Sequence, residues 1–313
     1  MTASFPYERG VHEVGDGVFA YLQPDGSWGW SNAGLVRGDS GSLLVDTLFD
    51  LKLTQEMLDQ FARVTGRIDT VVNTHANGDH CWGNELVPEA RVIASKECAA
   101  EMGMPPPATL AALSEGSAEM GALGHFLSQI FGPFDFKGIT VRMPDETFEG
   151  ELTLTVDGTD VHLIEVGPAH TRGDILIHVP GSGVVFTGDI LFVGGHPIVW
   201  EGPIANWVAA LDRILAMNVE TVVPGHGPVV GPEGVREERD YLLWLQREAK
   251  ARFEAGLSPL DAARDLMSSG YTDWKDSERL VVNVAAVYRE LDPDRRPSFV
   301  DLFSQMAELS TQG

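Results

Sequence analysis

Over the first fifty residues, apolar and polar positions alternate or fall in short runs. Residues 17–22, 30–36 and 42–46 read as β-strands separated by turn residues, with the loop PDGSWGW (24–30) joining the first two. The period then changes. Met57, Leu58, Phe61 and Val64 lie at helical spacing, with Leu51 and Leu53 one to two turns earlier, and predict a helix over 51–64. A β-branched strand over 69–74 runs straight into His75. Another strand covers 91–94, and 96–102 reads as a short helix. Strands are expected again at 152–156, 161–166, 175–179 and 184–187. Trp207, Leu211, Ile214 and Leu215 place a helix over 207–217, and a strand over 221–223 leads into Pro-Gly-His-Gly. From Gly234 onward the pattern is helical. Ser258-Pro259-Leu260-Asp261 has the form of a capped helix start with proline in the first turn. Leu280, Val281, Val284, Val287, Tyr288 and Leu291 form a later helical stripe.

Residues 104–138 break the alternation. They hold three consecutive prolines, many small residues and a set of apolar side chains that includes Leu110, Leu127, Phe131, Phe134 and Phe136. The segment reads as an inserted lid of short helices. It is either extra core or the wall of an apolar substrate pocket, since both draw on the same side chains. A faint internal repeat runs through the rest. The strands SLLVDT and VVFTGD each reach an aspartate, Asp46 and Asp189. Each is followed by a helix and by a strand ending near a histidine, His75 and His226. Two such halves suggest a sheet-on-sheet core flanked by helices.

The bulk composition narrows the function classes. The chain has 313 residues, 43% hydrophobic and 22% charged, as a globular protein does. Its formal net charge of -24 repels phosphate backbones and argues against a general nucleic-acid binder or nuclease. No run reaches the roughly 18 unbroken apolar residues of a membrane span. The N-terminus shows no cationic, apolar leader pattern. Two cysteines, Cys81 and Cys98, stand in no scaffold spacing. These features lead us to expect a cytoplasmic protein acting on a small molecule, with neither nucleic acid nor membrane as partner.

The chemistry concentrates in Thr74-His75-Ala76-Asn77-Gly78-Asp79-His80, after a strand and before a helix expected at 81–87. A tight turn there projects His75, Asp79 and His80 from one small region. His170 in GPAHTRGD, Asp189 in FTGDI and His226 in PGHG also stand at strand ends before glycine-bearing loops. Each alone has a plain reading as a structural histidine or a turn aspartate. Together, imidazoles and carboxylates suit zinc, manganese or iron.

The four motifs, in this order, resemble the metallo-β-lactamase superfamily across roughly residues 15–232. The resemblance implies an α/β fold, a four-layer αββα sandwich, over residues 1–232, with residues 233–313 as a helical C-terminal extension. It implies Zn2+ as cofactor, one or two ions, with Mn2+ or Fe2+ as alternatives. His75 and His170 would hold one ion, Asp79, His80 and His226 the other, with Asp189 between them. Water activated by the metal would attack a carbonyl carbon, and Asp79 would orient it or pass on its proton. Asn77 departs from the pattern, which has histidine there. An amide oxygen is a weaker ligand or only lines the site.

Other positions carry second readings. Asp46 resembles the aspartate that supports a ligand by hydrogen bonding, or is a strand-end turn. Cys81 reads as a small buried helix residue. Trp28, Trp30, Phe131 and His196 are candidates to face substrate. The expected activity is hydrolysis of a thioester, lactone or ester in a bulky apolar molecule. The alternatives are a mononuclear iron oxygenase of the persulfide-dioxygenase type and a non-hydrolytic polyketide cyclase or lyase. The C-terminal helices are expected either to cover the core or to form a homodimer face.

Overall fold

The computed structural model describes residues 5–311. Seven strands form the first sheet in sequence order: β1 (Gly10–Gly15), β2 (Val18–Leu22), β3 (Ala33–Val36), β4 (Ser42–Val45), β5 (Ile68–Val72), β6 (Arg91–Ser95) and β7 (Glu146–Phe148). The first four pair antiparallel, and β4 to β7 run parallel. The second sheet orders β12 (Thr221–Val223), β11 (Val184–Phe186), β10 (Ile175–Val179), β9 (Thr159–Glu165) and β8 (Glu151–Val156). Only β11 and β12 pair parallel within it.

The inner faces of the sheets meet in one apolar layer that includes Val18, Leu22, Leu43, Val72, Leu163, Ile177 and Phe186. Removing such side chains from water stabilises the sandwich by roughly 1.5–3 kcal/mol each. Gly34 lets the sheets come close: a Cβ there would run into the Phe186 ring. Helices cover the outer faces. The first is α1 (Leu51–Phe61), begun by Asp50, whose Oδ1 accepts from Leu53 N at 2.7 Å. It ends one turn before the expected Val64. On the other sheet lies α6 (Ile204–Ala216), which buries Trp207, Leu211 and Ile214. The order is helix, sheet, sheet, helix, the αββα architecture expected.

The two expected halves are visible as β4–α1–β5 and β11–α6–β12. Each is a strand, a helix and a parallel strand. Two edge strands escaped the pattern. β1 is half exposed, and β7 is three residues long. The helix expected at 81–87 begins earlier, as α2 (Gly78–Cys81), and a separate 3-10 turn follows at Asn84–Leu86. Asp79 and His80 therefore lie inside α2 instead of before it.

After β6 come α3 (Lys96–Glu101), α4 (Pro107–Gly116) and α5 (Gly121–Phe131). The C-terminal part forms α7 (Pro232–Glu254), α8 (Pro259–Leu266), α9 (Leu280–Leu291) and α10 (Phe299–Ser310). Ser258 caps α8 as expected, its Oγ accepting from Asp261 N at 3.1 Å. α7 and α9 bury Tyr241, Leu245, Val284 and Tyr288 in the same apolar core that holds Trp207 and Leu211. The inserted segment contributes both to the core and to a cavity wall. Phe126, Phe134 and Phe136 are core, while Leu110 and Phe131 also line the cavity described below. Among the described residues, no helix is long and apolar enough to cross a membrane.

Candidate metal centre

The turn after β5 and the start of α2 bring His75, Asp79 and His80 to one edge of the sandwich. The loops after β9, β11 and β12 bring His170, Asp189 and His226 to the same place from the second sheet. All six are buried. Asp189 stands between the groups. Its Oδ2 lies 3.7 Å from His75 Nε2 and 3.3 Å from His170 Nε2, and its Oδ1 lies 3.1 Å from His80 Nε2 and 3.5 Å from His226 Nε2. Asp79 Oδ2 is 3.3 Å from His226 Nε2 and 3.8 Å from His80 Nε2. Gly225 permits this approach, because a Cβ there would collide with Asp189 Oδ1.

The other nitrogen of each ring explains the arrangement. His170 Nδ1 donates to Ile198 O at 2.7 Å, and His226 Nδ1 donates to Gly26 O at 3.1 Å, since carbonyls only accept. His80 Nδ1 donates to Asp46 Oδ2 at 2.9 Å. Thr74 Oγ1 gives its hydrogen to Asp46 Oδ2 at 2.7 Å, and so accepts from His75 Nδ1 at 3.1 Å. In a neutral imidazole, a protonated Nδ1 leaves a lone pair on Nε2. Four Nε2 atoms therefore converge on two carboxylates, each able to give a hydrogen to a carboxylate when the ring is protonated or a lone pair to a cation when it is neutral. Among the described residues, His75 Nε2, His80 Nε2 and Asp189 Oδ1 have no hydrogen-bond partner. Buried polar atoms left this way cost about 1–3 kcal/mol each. A cation removes that cost. His75, His80 and Asp189 offer ligand atoms within 4.8 Å of one another, as do Asp79, His80 and His226. The donor set fits one or two divalent metal ions.

The electrostatics point the same way. Burial holds His75 and His170 below the usual imidazole range, and for His75 the neighbouring His80 adds to it. Burial opposes charge on His80 and His226 too, but Asp189 and Asp79 outweigh it, raising His80 well above the usual range and His226 to about 9. Burial likewise works against the Asp189 carboxylate, yet the surrounding histidines hold it well below its ordinary value. The cluster draws positive charge to its centre.

Asp46 supports the cluster. It sits at φ 60°, a left-handed conformation aspartate tolerates, and accepts from Thr74 N at 2.7 Å, from Thr74 Oγ1 and from His80 Nδ1. Asn77 takes part less directly: its Oδ1 lies 3.0 Å from His170 Nε2, and its side chain lines the cavity. Cys81 is buried with its Sγ donating to Ala76 O at 3.5 Å, and it is in neither group of converging ligand atoms among the described residues.

A cavity of about 490 Å3 opens over the cluster. Trp28, Phe49, Trp82, Leu110, Phe131 and Phe303 form much of its wall, with Asn77, Asp79, Asp189 and His226 among its polar atoms. Of the expected substrate-facing residues, Trp28 and Phe131 line it. Trp30 does not: its ring packs on Phe134 at 4.8 Å, away from the cavity. His196 does not either. It is 1% exposed, bonded through Nδ1 to Tyr241 Oη at 3.0 Å, and packed against Tyr241 and Trp274. A tyrosine hydroxyl from α7 and apolar rings claim it as core. Sequence reasoning missed Phe192, whose ring stacks on His226 at 5.1 Å, and Arg279, whose guanidinium lies 4.5 Å from the Trp28 ring. Phe192 follows Asp189 by three residues and had that signal. Nothing local marks Arg279 or Phe303.

Comparison with known proteins agrees with this geometry. A family described as the metallo-beta-lactamase superfamily matches residues 26–226. The chain is 24% identical over 253 residues to a linear primary-alkylsulfatase of Pseudomonas sp. (strain ATCC 19151), covering 72% of this chain and 48% of that protein. It is 26% identical over 177 residues to a hydroxyacylglutathione hydrolase of Synechococcus sp. (strain JA-3-3Ab), covering 56% of this chain and 55% of that one. The chain spans about half the length of these relatives. Among solved structures, a stereoselective inverting sec-alkylsulfatase of Pseudomonas sp. superposes with a TM-score of 0.66 at 19% identity, covering 93% of this chain and 52% of that one, a likeness of fold. By the span of the family match, the chain belongs to the metallo-beta-lactamase superfamily.

Proposed function

We propose that the protein is a metal-dependent hydrolase of an ester-like bond in a bulky apolar small molecule. One observation carries the reading: four imidazole Nε2 atoms and two carboxylates converge at the base of an aromatic-walled cavity. The alkylsulfatase likeness adds sulfate esters to the thioester, lactone and carboxylic ester bonds expected from sequence. The hydroxyacylglutathione hydrolase likeness supports the thioester.

His75 and His170 would hold one divalent ion, Asp79, His80 and His226 a second, with Asp189 shared. Such ions supply Lewis acidity and lower the pKa of water toward neutrality. The protein's own groups do the rest. Trp28, Phe131 and Phe303 hold the apolar portion and exclude water from the base of the cavity. Asp79 is more exposed than Asp189 and lines the cavity, so its Oδ2 is placed to pass a proton to a departing oxygen or sulfur. The Asn77 amide can donate to a substrate oxygen from the same wall.

The test is metal content per chain, for wild type and Asn77→His, with a panel of alkyl sulfates, acyl thioesters, lactones and aryl esters of graded chain length. We expect one or two Zn2+ or Mn2+, a higher occupancy in Asn77→His, and turnover adding one water to the substrate. One retained iron with oxygen consumption would replace hydrolysis by oxygenation. Metal-free protein in every preparation would refute the reading.

A further inference from the structure

Loop 24–30 touches the metal-facing cluster. Gly26 O accepts from His226 Nδ1 at 3.1 Å, and just beyond the loop Ser31 Oγ donates to Asp79 O at 2.5 Å. The loop lies between β2 and β3 and includes Gly26 at φ 79° and Gly29 at φ 72°, positions of high backbone freedom. Its internal bonds include Gly26 N to Gln23 O and Trp30 N to Ser27 O, each 3.0 Å.

Gly26 also lies against Tyr7 and Gly227, and Trp30 packs on Phe134; the polar struts to the loop's side chains at 25, 27 and 28 come from residues 275–279, about 250 positions along the chain. Ser27 Oγ donates to Asp276 Oδ1 at 2.5 Å, and Trp28 Nε1 donates to Glu278 Oε1 at 2.7 Å. Lys275 Nζ pairs with Asp25 Oδ2 at 3.0 Å. The Arg279 guanidinium, 4.5 Å from the Trp28 ring, is tied by Nη2 to Asp276 Oδ2 at 3.2 Å and by Nη1 to His196 O at 2.9 Å. Glu278 is 9% exposed and Arg279 2%. Ionisable groups buried to this extent cost folding free energy unless paired, and replacing them with apolar residues is often neutral or stabilising. Both carry contacts to Trp28.

We propose that Asp276 and Glu278 are positioning residues for His226: they hold loop 24–30 so that the Gly26 carbonyl fixes the orientation of the ring facing Asp79 and Asp189. The inference rests on the metal reading above. It makes the C-terminal helical region part of the metal centre at a distance, although that region supplies none of the six clustered side chains.

The experiment measures Zn2+ affinity by competition with a chromophoric chelator on the full chain, with thermal midpoints recorded in parallel. His226→Ala identifies the ion held on the His226 side. Glu278→Ala is expected to weaken that ion about tenfold, the scale of a lost outer hydrogen bond, and to leave any ion on the His75 and His170 side unchanged. Glu278→Gln keeps an acceptor for Trp28 Nε1 and restores wild-type affinity. Ser27→Ala removes the Asp276 contact without altering the C-terminal segment, and reproduces the loss should Glu278→Ala not fold. The proposal fails if Ser27→Ala and Glu278→Ala both bind as wild type does, if Gln binds as weakly as Ala, or if affinity falls only in step with the thermal midpoint. A wild type that binds no Zn2+ would instead overturn the metal reading itself.

Discussion

Each histidine of the cluster is oriented by its far nitrogen, and the acceptors differ: two carbonyls, a threonine hydroxyl and the Asp46 carboxylate. His196 shows the opposite fate of a loop histidine. Burial, with the Arg279 charge beside it, pushes its pKa down to about 3 from 6.5. The folded chain keeps it neutral, whereas the unfolded chain protonates it below about 6.5. Its contribution to stability is therefore complete above that pH and is lost as pH falls toward 3. From pH 7.5 to 5.5, wild type is expected to lose roughly 1 kcal/mol more than His196→Asn. Denaturant midpoints at the two pH values check this, and equal losses would refute it. Strand-end histidines next to glycine were legible because the turn that presents them is local. Whether such a residue faces cavity or core was not. His196 and Trp30 were settled by Tyr241 and Phe134, partners that sequence spacing does not reveal.

At the scale of elements, period and turn chemistry located most strands and helices to within a few residues. They failed where burial is partial, at β1 and β7 on the rim of the first sheet. They also failed at α2, whose start is set by the turn that follows His75, not by an apolar stripe. The close approach at Gly34 was likewise invisible, because the Phe186 ring reaches it from the other sheet. Gly34→Ala is expected to destabilise the fold by about 1–3 kcal/mol through overpacking. Adding Phe186→Leu should recover part of the loss. Urea unfolding of the single and double variants measures both, and an unaffected Gly34→Ala would show that the sheets can separate freely.

For the molecule as a whole, the faint repeat carried more information than its length suggested. It marked two strand–helix–strand units, and the structure places one in each sheet with the loops after their strands at a common edge. The C-terminal region was legible as helices but not as a support for loop 24–30, since that contact joins residues about 250 apart. The six clustered side chains divide evenly. His75, Asp79 and His80 belong to the first sheet's side, and His170, Asp189 and His226 to the second's. Ions bound there would rivet the halves together, so chelation should act as a mild denaturant. Metal at a hundred times its dissociation constant adds about 2.7 kcal/mol to stability. Its removal should lower the thermal midpoint and speed amide exchange first at the ends of β5 and β12, where the seam between the sheets would begin to open.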